Sequence, residues 1–354
     1  MALNATSPIY VAGLLNNWYL HIENLDYDKS KELKRKVKNL LSKMDEDQTV
    51  LLYYSLLEYR HDQMFQEGLA ARKKDELGDL LSYYYHFYNG MDAYARRHYD
   101  EAVKHYKKAE QRLASIPDNI EKAEFHYSVG RVFYHIRQNG ISMSHAMKAL
   151  NFFVQDPHYS NRVADCQLLL SLNFIQVREF PVAEDLLTAV IKQAREEQDN
   201  ALLSIAYYNL GHLFMEWGKP KQAMKWLVQT LELETPDYKT LYLLAKASFQ
   251  IDQPEAGRTW LQKGLNECAA IAHKEYWYRF KALQGVYGLI SSEQFEKVMK
   301  DSIAFLEQEN VWSYAEEHAT LLANFYWKGE RYKEACEYFH KADLARTNLK
   351  KRGL

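Results

Sequence analysis

Apolar residues recur along this chain at helical spacing, and from residue 76 onward they form a repeated frame. In "YNGMDAYARRHYDEAVKHYKKAEQRL" the small residue Gly90 is followed twelve positions later by Ala102, with Tyr99 three positions before Ala102 and Tyr106 four positions after it. Helical spacing on both sides of a short turn predicts a helix hairpin. The small-residue pairs are Gly90/Ala102, Gly130/Ser142, Ser171/Ala183, Gly211/Ala223, Ala245/Gly257 and Ala323/Ala335.

The spacing of these pairs gives the size of the repeat. Successive first members lie 40, 41, 40, 34 and 78 residues apart, and 78 is two periods. Gly285 falls where the missing unit starts, with Lys297 in place of the second small residue. The frame resembles the tetratricopeptide repeat, whose usual period is about 34 residues. About seven stacked hairpins form an α-solenoid, and the first helix of each lines an inner groove, which is typically a peptide-binding surface.

The first 75 residues lack this frame. Apolar periodicity predicts helices over 9–25, 30–44 and 49–67, with Asp28 or Ser30 capping the second. Residues 67–79 form a connector. The chain is therefore predicted to be all-α, with an N-terminal helical bundle (1–75) followed by a tetratricopeptide-repeat superhelix (76–354).

Composition narrows the class of protein. The net charge of −2 argues against a general nucleic-acid binder, and no apolar run is long enough for a membrane span. No signal peptide is evident at the start. Three widely separated cysteines, Cys166, Cys268 and Cys336, fit reduced thiols. These features predict a cytoplasmic protein with no nucleic-acid or membrane partner.

Candidate chemistry is sparse. Thirteen histidines show no HExxH motif or Cys/His cluster, so no metal site is predicted, and His61 has a structural role. The segment "DEDQ" (45–48) precedes a tyrosine-rich helix. Locally it is explained by capping, with Asp45 as the N-cap and Gln48 reaching back in a capping box.

The repeat register points to a groove site. Asn209 lies two residues before Gly211 on an inner helix, where a carboxamide binds a peptide backbone through both its donor and its acceptor. A solvated polar residue is the alternative. Further residues on the same predicted face are Tyr208, His212, Tyr242, Phe249, Asn324 and Trp327.

Several segments together resemble the Rap family of Bacillus, the response-regulator aspartate phosphatases and anti-activators controlled by Phr peptides. The family's "EDQ…YYSL…RH" segment matches residues 46–48, 53–56 and 60–61, and "NNWY" (16–19) is similar to the family's "NEWY". "YYYHFYNGMDAY" and residues 120–143 resemble the family's first repeats. The similarity covers nearly the whole chain and weakens beyond about residue 235.

The resemblance implies roles for particular residues. Gln48 matches the glutamine that enters the receiver's active site and orients the attacking water, with Glu46, Asp47 and Leu51 contacting the regulator. The chain itself then needs no cofactor, since Mg²⁺ is supplied by the response regulator. Asn209 matches the contact to the peptide backbone. Gln176 stands where the family often has an acid, which implies a different peptide specificity.

Three classes of function follow. The first is a phosphatase for a phosphorylated response regulator, inhibited by a short peptide that is secreted and re-imported. The second is a non-enzymatic anti-activator that sequesters the regulator's DNA-binding domain, also under peptide control. The third is a repeat scaffold without a regulator. Gln48 in the matched "EDQ" favours the first class.

Overall fold

The computed structural model describes residues 7–24, 26–66, 76–233 and 236–351. Within these ranges the chain forms seventeen α-helices and no strand, which confirms the all-α prediction. The helices cluster into two compact units that meet between residues 159 and 160, with the 136–139 turn grouped with the second unit. The predicted boundary between residues 75 and 76 separates the bundle from the repeats and does not coincide with this division. It stays a prediction.

The first unit contains a three-helix bundle and two helix hairpins. Part of the predicted connector, 67–75, lies outside the described residues. The helices of this unit are α1 (Pro8–Glu23), α2 (Tyr27–Leu41), α3 (Gln48–Gln66), α4 (Glu76–Ala95), α5 (Tyr99–Glu110), α6 (Asn119–His135) and α7 (Asn139–Phe153).

Two predicted helix caps in the bundle are wrong. Helix α2 is capped by Asp26, whose Oδ1 accepts from the Lys29 amide at 3.3 Å, and not by Asp28 or Ser30. Helix α3 is capped by Asp47, whose Oδ1 accepts from the Val50 amide at 2.9 Å. Gln48 is therefore the first residue of α3, two positions short of the place that a capping box needs.

Ser30 instead joins the three bundle helices in the core. Its hydroxyl accepts from the indole nitrogen of Trp18 at 2.8 Å and lies 2.8 Å from Nδ1 of His61. Burial lowers the pKa of His61, so the ring is held neutral between α2 and α3. The structural role predicted for His61 follows from this contact.

Aromatic rings join α3 to the first repeat. Tyr53 on α3 stacks on Tyr88 of α4 with ring centres 5.8 Å apart, and its hydroxyl donates to Asn16 Oδ1 at 3.1 Å. Tyr84 of α4 contacts the same ring at 5.6 Å. Because large aromatic rings bury much apolar area, these contacts anchor the bundle helix on the repeat.

The second unit is a stack of five hairpins, which with the two of the first unit gives the seven predicted. Neighbouring first helices, such as α10 and α12, contact each other. The helices of this unit are α8 (Ser160–Gln176), α9 (Phe180–Glu196), α10 (Asn200–Glu216), α11 (Pro220–Leu233), α12 (Tyr238–Gln250), α13 (Pro254–Ala270), α14 (Lys274–Val286), α15 (Ser292–Gln308), α16 (Trp312–Lys328) and α17 (Tyr332–Lys351).

Each hairpin turns through a residue with left-handed backbone geometry. In the α10–α11 turn Gly218 has φ of 75°, and the Lys219 amide donates to the Phe214 carbonyl at 2.8 Å, as in a Schellman motif. All twelve small residues of the predicted pairs are buried, so paired helices approach closely at these points. The left-handed turn residues of the seven hairpins are Arg97, Arg137, Arg178, Gly218, Asp252, Gly288 and Glu330.

The turns correct the register of the degenerate unit. In the other six hairpins the first small residue lies seven positions before the left-handed residue, as Gly211 does before Gly218. In α14 that position is Lys281, so the start predicted at Gly285 is four residues late. Gly285 is nevertheless a contact point, because a Cβ there would collide with the Phe295 ring of α15.

Candidate functional site

The Gln48 side chain is exposed at the first turn of α3. Its Nε2 donates to Glu46 Oε1 at 2.6 Å, and Asp47 is occupied as the helix cap. The hydrogen bond to Glu46 orients the carboxamide while Oε1 remains available to accept from a water. The helix N-terminus behind it carries partial positive charge, which favours an anion.

An exposed stripe along α3 continues from Gln48. Leu52, one turn later, is 47% exposed, and Tyr59 is 56% exposed on the same face. Leu51, the sequence-predicted contact, is half-buried. The apolar side chains exposed on this face of α3 are Leu52 and Tyr59, and the contact predicted for Leu51 stays a prediction.

A buried carboxylate fixes the start of α3 against the repeats. Glu121 of α6 is only 6% exposed, and its two oxygens accept from Thr49 Oγ1 at 3.1 Å and from the Tyr83 hydroxyl at 3.0 Å. Burial raises the pKa of Glu121 to about 7, although both hydrogen bonds act in the opposite direction. Thr49 follows Gln48 directly, so this contact positions the candidate catalytic turn.

In the second unit Asn209 lies on α10, the first helix of its hairpin. The residue is 6% exposed, and its carboxamide makes no hydrogen bond within the part of the chain that the structure describes. A nearly buried amide without a partner is costly unless something else binds it. This geometry fits the predicted contact to a peptide backbone.

Three of the predicted groove residues gather around a residue that the sequence prediction missed. Tyr242 packs on the guanidinium of Arg279, whose Cζ is 4.3 Å from the ring centre. Tyr208 and His212 of α10 lie within electrostatic range of the same guanidinium. Burial lowers the pKa of His212, and the positive charges of Arg279 and Lys246 lower it further against the opposing effect of Glu216.

The other predicted groove residues lie elsewhere. Phe249 stacks on Tyr287 with ring centres 4.3 Å apart, and it fills the space beside Gly257, so it packs within its own hairpin and against the next one. Trp327 is 54% exposed and packs edge-on against Tyr332 in its own hairpin. Gln176 and Asn324 are exposed.

Arg279 could have been found from the turns. It lies nine residues before Gly288, as Asn209 lies nine residues before Gly218. The predicted start at Gly285 shifted this unit by four residues and hid the equivalence. In the remaining hairpins of the second unit the same position is apolar: Leu169, Leu243 and Leu321.

The described residues offer neither a metal site nor a membrane-spanning helix. They contain no group of three or more His, Cys, Asp or Glu side chains placed to hold a metal ion. Of their helices, none combines the length and the hydropathy that a membrane crossing requires.

The fold and these sites define a tetratricopeptide-repeat protein with an N-terminal helical bundle, which bears an exposed glutamine. Residues 6–66 match the family model described as response regulator aspartate phosphatase H, N terminal, and residues 205–235 match the tetratricopeptide repeat. Regulatory protein RapG of Bacillus subtilis (strain 168) is 31% identical over 352 residues, covering 96% of each chain. The chain belongs to the Rap family.

A further relative and a solved structure are similar to this chain. Response regulator aspartate phosphatase H of Bacillus subtilis (strain 168) is 27% identical and covers 95% of each chain. The Rap conjugation gene regulator of the plasmid pLS20, solved in complex with the Phr* peptide, has a TM-score of 0.78 at 24% identity, covering 98% of this chain and 97% of that one. The last similarity establishes the fold.

Proposed function

We propose that this protein binds the phosphorylated receiver domain of a response regulator and promotes hydrolysis of its aspartyl phosphate. The observation that carries the proposal is the exposed Gln48 carboxamide at the first turn of α3, inside the segment that matches the phosphatase family model. The exposed side chains of Leu52 and Tyr59 extend the docking face along the same helix.

Gln48 has the chemistry that the step requires. Water must attack phosphorus in line with the departing aspartyl oxygen, and a neutral carboxamide orients that water without adding negative charge. Glu46 holds the amide nitrogen, so the carbonyl oxygen is the group that accepts from water. The Mg²⁺ that balances charge on the phosphoryl oxygens is part of the regulator.

A short linear peptide is the proposed regulator of this activity. The groove on the first helices of the second unit offers the unpaired, nearly buried amide of Asn209 for the peptide main chain. The tyrosines around Arg279 supply flat apolar surface beside it. Site and groove lie in different units, so binding of the peptide and binding of the regulator use separate surfaces.

The test is to incubate the protein with a panel of phosphorylated receiver domains and to follow phosphate release. Gln48→Ala should lower the single-turnover rate on the order of a hundredfold, since one transition-state contact is lost. The helical fold should be unchanged, because the side chain is exposed and packs on nothing in the core of the described chain. Tyr59→Ala is the matched variant on the same face, and it should weaken binding while the rate at saturation is kept. A wild-type rate in Gln48→Ala would refute the catalytic role.

Sequestration of a regulator without catalysis is the second candidate. The relative RapG is named as a regulatory protein and not as a phosphatase. The exposed side chains of Leu52 and Tyr59 also suit stable binding of a partner. On this alternative the same pair of variants gives the opposite pattern. Tyr59→Ala would abolish the effect on the regulator, and Gln48→Ala would leave it intact with no phosphate released by either protein.

A further inference from the structure

One cation in the second unit is surrounded by aromatic rings. The Cζ atom of Arg279 lies 4.3, 4.4 and 4.1 Å from the ring centres of Tyr242, Tyr276 and Tyr314. Its Nη1 donates to the Tyr314 hydroxyl at 3.1 Å, and its Nε is buried with no hydrogen-bond partner in the described part of the chain. Three helices, α12, α14 and α16, thus hold the guanidinium in a fixed orientation.

The charge of Arg279 lacks an ion-pair partner among the described residues. Among the residues that the structure describes, no carboxylate comes within 4.0 Å of its nitrogens, and Glu317 acts on it only from further away. Aromatic faces attract a cation but supply no counter-charge. A partly desolvated guanidinium that keeps its full charge is therefore ready to bind an anion.

The repeat itself shows that Arg279 stands in an unusual place. Its position in the hairpin is otherwise occupied by leucine in the second unit, with the exception of Asn209. Burying an arginine at this position costs desolvation free energy that burying a leucine does not cost. The leucines of the other hairpins show that packing at this position does not require a charge. The two polar exceptions lie on α10 and α14, and Arg279 contacts the ring of Tyr242 on α12 and lies within electrostatic range of Tyr208, the neighbour of Asn209.

We propose that Arg279 is the carboxylate receptor of the groove and binds a carboxylate of the linear peptide while Asn209 holds the peptide main chain. The inference rests on the proposed peptide control and adds a chemical requirement for the ligand. The planar guanidinium offers two parallel N–H groups, which match the two oxygens of a carboxylate. The C-terminus of the peptide and an Asp or Glu side chain both present this group.

The experiment uses synthetic pentapeptide libraries as probes on the full-length protein. One library has free C-termini, one has amidated C-termini, and a third has free C-termini but no Asp or Glu. Peptides retained by the protein are identified by mass spectrometry, and individual sequences are then titrated by calorimetry. The amidated arm reports on the C-terminal carboxylate, and the third arm reports on acidic side chains.

We expect wild-type protein to lose affinity about ten- to hundredfold when the carboxylate that it reads is removed. Arg279→Gln should abolish this discrimination, and Arg279→Lys should restore part of it because the charge returns without the planar fork. Arg258→Gln is the matched control. Arg258 is an exposed arginine on α13 that pairs with Glu255, and its loss should leave the discrimination intact.

Each outcome decides the matter. Equal affinity of wild-type protein for acid and carboxylate-free peptides would overturn the role of Arg279 while peptide control stands. Retention of no peptide from any library would overturn both the proposed peptide control and the role of Arg279. If Arg279→Gln does not fold, as judged by circular dichroism, Arg279→Lys takes its place, and discrimination equal to that of the wild type would overturn the role of the guanidinium.

Discussion

Replacing Glu121 by glutamine should stabilise this protein at alkaline pH and leave its stability at acidic pH nearly unchanged. The carboxylate is buried on α6, where it accepts hydrogen bonds from Thr49 and Tyr83. Burial raises its pKa from 4.5 to about 7. The folded protein therefore prefers the protonated form, which a glutamine side chain imitates in shape and in charge.

The sign follows from the two pKa values of Glu121. Between pH 4.5 and about 7 the folded state keeps a proton that the unfolded state has already lost. Glu121 therefore makes its full contribution to the free energy of unfolding below pH 4.5, and this contribution is lost as the pH rises through 7. A shift of this size limits the effect to about 3 kcal/mol, and we expect about 1–3 kcal/mol at pH 8.

The assay is urea unfolding of both proteins at pH 5 and at pH 8, followed by far-UV circular dichroism. His126 and His145 lie 3.0 Å apart, and burial lowers the pKa of each to about 4, so they destabilise both proteins equally on acidification. The contributions of the two histidines therefore cancel in the difference in unfolding free energy between the two proteins. Glu110→Gln, which removes an exposed charge from α5, is the control and should change little at either pH. A stability difference for Glu121→Gln that is the same at both pH values would refute the reasoning.

Three other predictions concern the groove, a hairpin contact and an exposed position of α1. Asn209→Ala should weaken inhibition by the retained peptides about ten- to hundredfold while phosphate release without peptide is unchanged, and superimposable peptide titrations would exclude the contact. Gly90→Ala should destabilise by about 1–3 kcal/mol in urea, because the new Cβ would lie 2.6 Å from the Tyr106 ring. Gly13→Ala, an exposed helix position with nothing within 4 Å, should instead stabilise by about 0.5–1 kcal/mol.

The repeat architecture could be predicted because close helix contacts restrict residue size. At Gly90 and Gly211 any Cβ would meet a ring or a leucine of the paired helix, and such restrictions are visible in a single sequence. The same signal failed in α14, where Gly285 and Phe295 replace a pair of small residues at the contact. At this contact a glycine opposite a large ring allows the same close approach of the two helices, but the two residues are spaced differently from the pairs of small residues.

Helix starts were harder to predict because several acids compete for one cap. Asp45, Asp47, Asp26 and Asp28 all precede apolar periodicity, and local sequence does not say which carboxylate reaches an amide. The outcome depends on tertiary contacts such as the use of Ser30 by Trp18. Arg279 was missed for a related reason, since its tyrosine partners come from three different helices that only the stack brings together.

The candidate catalytic turn and the first repeats form one structural element. Gln48 begins α3, and the next residue donates to Glu121 on α6, while Tyr53 one turn later stacks on Tyr88 of α4. A shift of α6 relative to α4 would break one of these two contacts, because both hold the same two turns of α3. The orientation of the Gln48 amide is therefore set by the packing of the repeats as well as by Glu46. Any ligand that changes this packing acts on the candidate chemistry without touching it.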